Sequence, residues 1–267
     1  MHHAGRMRDD PNSSAAGAPV GLFCVDLNGT LLGNPEATAH FTTAWRRRGS
    51  GERPALVYTC GRSVDEIRRV VAEHRLPEPT AVIGGLGTTV SIAGHDAEAA
   101  QFNERFASCW NFSRVDELVS KMTGIARGAA AFLFPYRPEW SWHNASPHAL
   151  KQLQARLAEA GIHGSVRYTF NRHLDVVPAD TSKGEALSYV CSLLTIPLEA
   201  VLVAGDTLHD ASMMLLPKVR RIVVENSLPD LLAELVGREK FMSNEVMANG
   251  VIDGLRHFGV LPRRRFQ

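Results

Sequence analysis

Two aspartates, Asp26 and Asp206, each close an apolar, partly β-branched run, VGLFCVD and AVLVAGD, and each is followed at once by a turn. Runs of this length and composition suit buried parallel strands. In an open parallel sheet, ligands collect outside the carboxyl ends of the strands. Cys60, at the end of ALVYTC, and the Gly-rich turn at 84–87, after TAVIGG, fall at that same edge. If the strands are neighbours, two carboxylates meet in one crevice. Close like charges resist joint ionisation unless a cation neutralises them. One or two carboxylates with water and a phosphate is the coordination that suits Mg2+. Lys183, at the start of the helical stretch SKGEALSYVCSLL, adds positive charge beside such an anion. The turns at 59–62 and 84–87 offer backbone N–H groups. Together these residue types describe a site for handling a phosphate.

The elements that must position them alternate. Strands at 20–26, 55–60 and 80–85 are interleaved with helices at 36–48 and 63–74, and the rhythm resumes with a helix at 182–194, capped by Ser182, and strands at 200–206 and 220–226. Pro229 opens a further helix, SLPDLLAELV. This predicts an α/β fold with right-handed crossovers, built from residues 20–87 and 176–267. Residues 88–175 read differently and predict a smaller inserted α+β unit. They hold Trp110, Phe132, Phe134, Tyr136, Trp140 and Trp142, an amphipathic helix near 147–160, and strand-like pieces at 130–135, 139–143, 165–170 and 173–177. Trp140 and Trp142 alternate with Ser141 and His143, so the two pairs face opposite ways, and packing in the unit's own core is the expected role of the tryptophans.

Composition narrows the function classes. With 267 residues, 45% hydrophobic and 21% charged, the chain is long enough for one large or two modest domains with a sizeable core. A net charge of +1 argues against a general nucleic-acid binder, and no apolar run is long enough to span a bilayer. Cys24, Cys60, Cys109 and Cys191 are scattered, which predicts buried reduced thiols in a cytoplasmic protein and neither a zinc site nor a disulfide framework. Residues 1–19 lack an apolar signal segment and read as a disordered leader.

The motifs then become specific. Asp26-Leu27-Asn28-Gly29-Thr30 resembles the first motif, DxDGT, of the haloacid dehalogenase superfamily. Gly61-Arg62-Ser63 resembles the turn of the second, Lys183 in Ser182-Lys183-Gly184 the third, and Gly205-Asp206-Thr207-Leu208-His209-Asp210 the fourth, GDxxND. Order and spacing match, and the insertion falls between motifs two and three, where that family carries its type II cap. Asp175 to Pro178, Ile222 to Asn226 and Asp253 to Leu255 are most similar to the sucrose-phosphatase-like branch with a type IIB cap. The resemblance implies a Rossmann-like core and Mg2+-dependent hydrolysis of a phosphomonoester through an aspartyl-phosphate, with a sugar phosphate or phosphorylated disaccharide as the small substrate. It implies Asp26 as nucleophile, Mg2+ held by Asp26, the backbone carbonyl of Asn28 and Asp206, and Lys183 and Asp210 as further catalytic positions. Cys60, Gly61, Arg62, Gly85 and the cap's Arg172, beside His173, fall at phosphate and substrate contacts, although Gly84, Gly85 and Gly87 read equally as turn residues.

Three of the motifs depart from the pattern. Asn28 stands where the family has an acid/base aspartate, and an amide exchanges no useful proton at neutral pH. Cys60 replaces a Thr or Ser, a poorer donor to phosphate, and the strand period turns the neighbouring Thr59 to the other side. Leu208 and His209 replace a small residue and Asn, and imidazole could serve as a base in place of residue 28. Two further readings therefore stand beside hydrolysis: a pseudophosphatase that binds a phosphorylated ligand or partner, and a phosphotransferase that passes phosphate to another acceptor.

Overall fold

The structure, a computed structural model, describes residues 19–49, 51, 53–128 and 139–262. The expected leader up to residue 18, the strand expected at 130–135, and Phe132, Phe134 and Tyr136 lie outside them. The chain runs through β1 (Leu22–Asp26), α1 (Pro35–Arg46), β2 (Ala55–Thr59), α2 (Val64–Glu73), β3 (Ala81–Gly84), β4 (Thr89–Ile92) and α3 (Asp96–Glu104). Next come α4 (Phe112–Val119), β5 (Ile125–Arg127), β6 (Glu139–Trp142), α5 (Pro147–Glu159), β7 (Gly164–Thr169) and β8 (His173–Pro178). It closes with α6 (Lys183–Leu193), β9 (Val201–Gly205), α7 (Ala211–Met214), β10 (Arg220–Val223), α8 (Pro229–Glu234), β11 (Phe241–Met242) and α9 (Met247–His257).

The large sheet has seven strands in the order β11-β10-β9-β1-β2-β3-β4. All its pairings are parallel except that of β3 with β4, which is antiparallel. The sheet is therefore mixed, and Thr89–Ile92 belongs to it and not to the inserted unit expected from residue 88 onward. The cause is the short turn at 85–87, which reverses the chain so that β4 doubles back on β3. β1 is central, and its side chains alternate between two layers. Phe23 and Val25 pack with Phe41, Trp45, Ile67, Val251 and Leu255 from α1, α2 and α9. Leu22 and Cys24 pack with Leu187, Val190 and Met213 from α6 and α7. Burial on both faces explains why β1 reads as an unbroken apolar run.

The second sheet is four-stranded and antiparallel, in the order β5-β6-β8-β7. Trp140 and Trp142 are buried with Leu153, Leu157, Leu174 and Val176, the core-packing role expected of them. The Trp140 indole also bonds Asp116, which pairs with Arg127. Helix starts follow local chemistry. Asn34, Ser63, Ser146 and Ser182 each accept a backbone N–H in the first turn of their helices, and Ser63 forms a reciprocal capping box with Glu66. All four cysteines are free; Cys24, Cys60 and Cys191 are buried, whereas Cys109 is exposed, against the expectation of four buried thiols. No helix among the described residues is long and apolar enough to cross a membrane.

Candidate active site

Asp26 ends β1 between β2 and β9, and Asp206 follows β9 directly, so the central strand pair delivers two carboxylates to one edge. The turn after Asp26 is closed by the N–H groups of Leu31 and Leu32 donating to Leu27 O, and by Gly29 N–H donating to Leu32 O. None of these bonds uses the Asn28 carbonyl. Gly29 has φ +83°, and a Cβ there would lie 2.4 Å from Asp206 Oδ2. Only glycine lets the loop press against that carboxylate. Thr30 Oγ1 donates to Asp206 Oδ1 at 2.7 Å, and Asn226 Nδ2 donates to Gly29 O at 2.8 Å while its Oδ1 accepts from Met247 N–H. Thr30 and Asn226 thus anchor the loop. Neither is a candidate site residue by sequence, although Thr30 sits in the first motif and Asn226 in a stretch that resembles the branch.

Lys183 is buried, and its Nζ donates to Asp26 Oδ1 at 2.6 Å and to Asp210 Oδ1 at 2.7 Å. Its placement at the start of α6 depends on Gly87, φ +102°, where a Cβ would stand 2.2 Å from Ser182 O. Asp210 faces inward and does not line the cavity between the two units. Its Oδ2 accepts the N–H groups of Asp206 and Thr207 and the Thr207 hydroxyl. Asp210 is therefore a positioning residue that holds Lys183 and the turn carrying Asp206.

The electrostatics follow from burial. Burial works against the Lys183 ammonium, but Asp210 and Asp26 outweigh it and hold its pKa above the usual range. Burial pushes the Asp26 carboxyl up, with Asp210 and Asp206 adding to the effect against Lys183. Burial, then the Asp210 charge, pushes Asp206 up to about 7. Carboxylate oxygens of Asp26, Asp206 and Asp210 lie within 4.8 Å of one another. Ionising all three carboxylates against one ammonium would leave two negative charges uncompensated, which is the deficit a divalent cation fills. The cluster is thus capable of coordinating such a cation. Because Lys183 and the turn N–H groups occupy Asp210, the Asp26 and Asp206 oxygens fit that cation best.

Two of the departures, Asn28 and Cys60, touch: Asn28 Nδ2 donates to Cys60 Sγ at 3.4 Å. Burial raises the Cys60 thiol above its ordinary pKa, which keeps it protonated. Gly61 and Arg62 follow it into the cavity wall, and Thr59 points away, as the strand period predicts. Two N–H groups of the 84–87 turn are spent inside the fold, Gly85 on Arg62 O and Leu86 on Cys60 O. Gly85 consequently stays behind the wall, and Leu86 lines it instead.

The cavity measures about 500 Å³ and lies between the two sheets' units. Its core side presents Asp26, Asn28, Cys60, Lys183, Asp206, His209 and Asn226, and its cap side presents Glu139, Thr169, Phe170, His173 and Asp175. Arg172 is exposed and outside that lining. Its Nε donates to His173 Nε2 at 3.0 Å, and His173 Nδ1 lies 2.9 Å from Glu139 Oε1, so Arg172 reaches the cavity only through His173. Glu139 and Thr169 carried no signal in the sequence, because each becomes a wall residue only through the pairing of β6, β7 and β8.

The profile of the sucrose-6F-phosphate phosphohydrolase family matches residues 19–259. The mannosylfructose-phosphate phosphatase of Agrobacterium fabrum is 31% identical over 246 residues, covering 92% of this chain and 99% of that protein. A probable sucrose-phosphatase 3b of Arabidopsis thaliana is 26% identical over 262 residues; this chain spans 61% of its length. Among solved structures, the sucrose-phosphatase of Synechocystis sp. PCC6803, in complex with sucrose and phosphate, superposes with a TM-score of 0.79 at 21% identity over 90% of this chain and 98% of that one.

Proposed function

The chain belongs to the sucrose-6F-phosphate phosphohydrolase family of the haloacid dehalogenase superfamily, and from that premise we propose that it hydrolyses a phosphorylated disaccharide or other sugar phosphate with Asp26 as nucleophile and Mg2+ as cofactor. The observation that carries this is the buried cluster of Asp26, Lys183 and Asp206 at the floor of a cavity walled by a second unit, with Asp210 behind it holding Lys183. A disaccharide phosphate, named in the family and in the Agrobacterium relative, is of a size that such a cavity accepts.

Asp26 attacks phosphorus as the P–O bond to the sugar oxygen breaks and the sugar leaves with a proton from water; water then cleaves the aspartyl-phosphate to release phosphate, and Lys183, bonded to Asp26, offsets negative charge throughout. Asp210 keeps Lys183 charged and aimed. Asp26, Asp206 and the Asn28 carbonyl are the groups that would hold Mg2+, which supplies charge compensation for the phosphoryl oxygens when bound. Gly61 and Arg62, which line the cavity beside Cys60, would receive the remaining phosphate oxygens. The cap shields the reacting centre from water and selects the leaving group. The four free cysteines suit a reducing compartment such as the cytoplasm.

Phosphate release from a panel of sugar phosphates with Mg2+ tests this. The chain as it stands should turn over, and Asp26→Asn should lose essentially all activity. Equal rates in the two proteins would remove Asp26 from the reaction. The contact between Asn28 and Cys60 favours one second reading. With an amide at position 28, water activation slows, so phosphate held on Asp26 lasts long enough to pass to another hydroxyl. Product phosphorylated on an added acceptor, in place of free phosphate, would identify that transfer.

A further inference from the structure

The tip of the β7–β8 hairpin is unusual. Thr169 pairs with His173, which leaves Phe170, Asn171 and Arg172 to make the turn, closed by Arg172 N–H donating to Thr169 O. Phe170 and Asn171 both have φ 52°. Asparagine tolerates that left-handed conformation, whereas a bulky aromatic residue there is an outlier. Glycine would form the same turn without strain. Phe170 is also 59% exposed, so no core packing explains it. Yet Phe170 lines the cavity whose core side carries Asp26 and Asp206. It meets the His173 ring edge-on at 6.2 Å and 87°, and His173 is itself fixed by Glu139 and Arg172. A strained, exposed and braced aromatic ring over a polar cavity points to a ligand that covers it.

We propose that Phe170 is a specificity-determining platform on which the non-reacting sugar ring of the substrate stacks. The C–H-bearing face of a pyranose or furanose ring is weakly positive and apolar, and suits the negative face of an aromatic ring. The hydroxyls around that face meet Thr169, His173 and Glu139, the polar groups beside Phe170 in the wall. The ring selects for a leaving group that is itself a sugar ring, against linear polyols of the same charge. This rests on the phosphatase reading for its kinetics, but not for its binding.

Three variants and two readouts test it. For sucrose-6F-phosphate, Phe170→Ala should raise KM about threefold to tenfold, the range of one aromatic contact, with a smaller change in kcat. The rise should be several-fold larger than with glycerol phosphate, and Phe170→Tyr should restore the original KM. Phe170→Gly should show the same loss of affinity together with a higher Tm, because glycine adopts φ 52° freely. Calorimetric titration with sucrose itself should show the same order of affinities. An equal effect on glycerol phosphate, unchanged sucrose binding in Phe170→Ala, or a lower Tm in Phe170→Gly would each overturn the platform. If no phosphomonoester is hydrolysed but sucrose binding weakens in Phe170→Ala, the platform stands and the hydrolase reading falls.

Discussion

At the scale of single residues, two of the positions at which the site departs from its family pattern touch, Asn28 and Cys60. Asn28 can hydrogen-bond but not exchange a proton, and Cys60 is a weak donor held protonated by burial. If this pair tunes the reaction together, restoring one member should act through the other. Asn28→Asp should raise kcat by roughly 10²- to 10⁴-fold, the usual worth of a positioned acid/base. Cys60→Thr alone should change it little. The double variant should depart from the product of the singles by about 0.5–3 kcal/mol of coupling. Measuring kcat for the four proteins decides this, and strictly multiplicative effects would show two independent positions. The aspartates and Lys183 were legible from sequence because each ends an apolar strand or starts a helix at a fixed offset. The contacts of Asn28 with Cys60, 32 residues apart, and of Thr30 with Asp206, 176 apart, were not, because they exist only once the strands are neighbours.

At the scale of elements, the 85–88 turn is the part that ties the sheet to α6. Arg105, just after α3, donates to the carbonyls of Gly87, Thr88 and Phe102, lies 3.5 Å above the centre of the Phe102 ring, and approaches Glu185 on α6 at 3.9 Å. Removing it leaves buried carbonyls without their donor at the point where Gly87 presses on the Lys183 backbone. Arg105→Ala should therefore lower stability by about 1–3 kcal/mol and reduce kcat, since Lys183 loses its register against Asp26. A denaturant melt and steady-state kinetics check both. A variant that loses stability at full kcat would separate the turn from the site. The strands and helices that flank the motifs follow the sequence reading because capping residues and apolar runs mark them locally. β4, α3 and α4 escaped it. β4 is four residues long and defined by its partner β3, and α3 has only Ala99 and Phe102 as buried positions to mark a face.

At the scale of the whole molecule, the charge at the cavity floor couples folding to pH. Asp206 sits at about 7 in the folded chain, above the ~4 of an unfolded carboxyl. Its favourable term is complete below the lower value and lost as pH rises through the higher one, because only the folded state keeps that proton in between. The metal-free protein should lose Tm from this group between pH 4 and pH 7. Added Mg2+ needs the same carboxylate ionised, so the Tm gain it brings should grow across that window and level off above it. Scanning calorimetry with and without Mg2+ at several pH values measures this, and a gain independent of pH would take Asp206 out of the cation site. The topology carries a different consequence. β1 pairs on one side with β2, which follows closely, and on the other with β9, which lies beyond the whole inserted unit. At 5–20 residues per second, a ribosome takes roughly 9–35 s to travel from Asp26 to Val201. For that interval the nascent chain carries an uncharged, strongly β-forming edge, Leu22 to Val25, with its later neighbour still unmade. Translation speed and chaperone access across the cap-coding stretch therefore bear on the yield of active enzyme, because that edge is where two nascent chains would join.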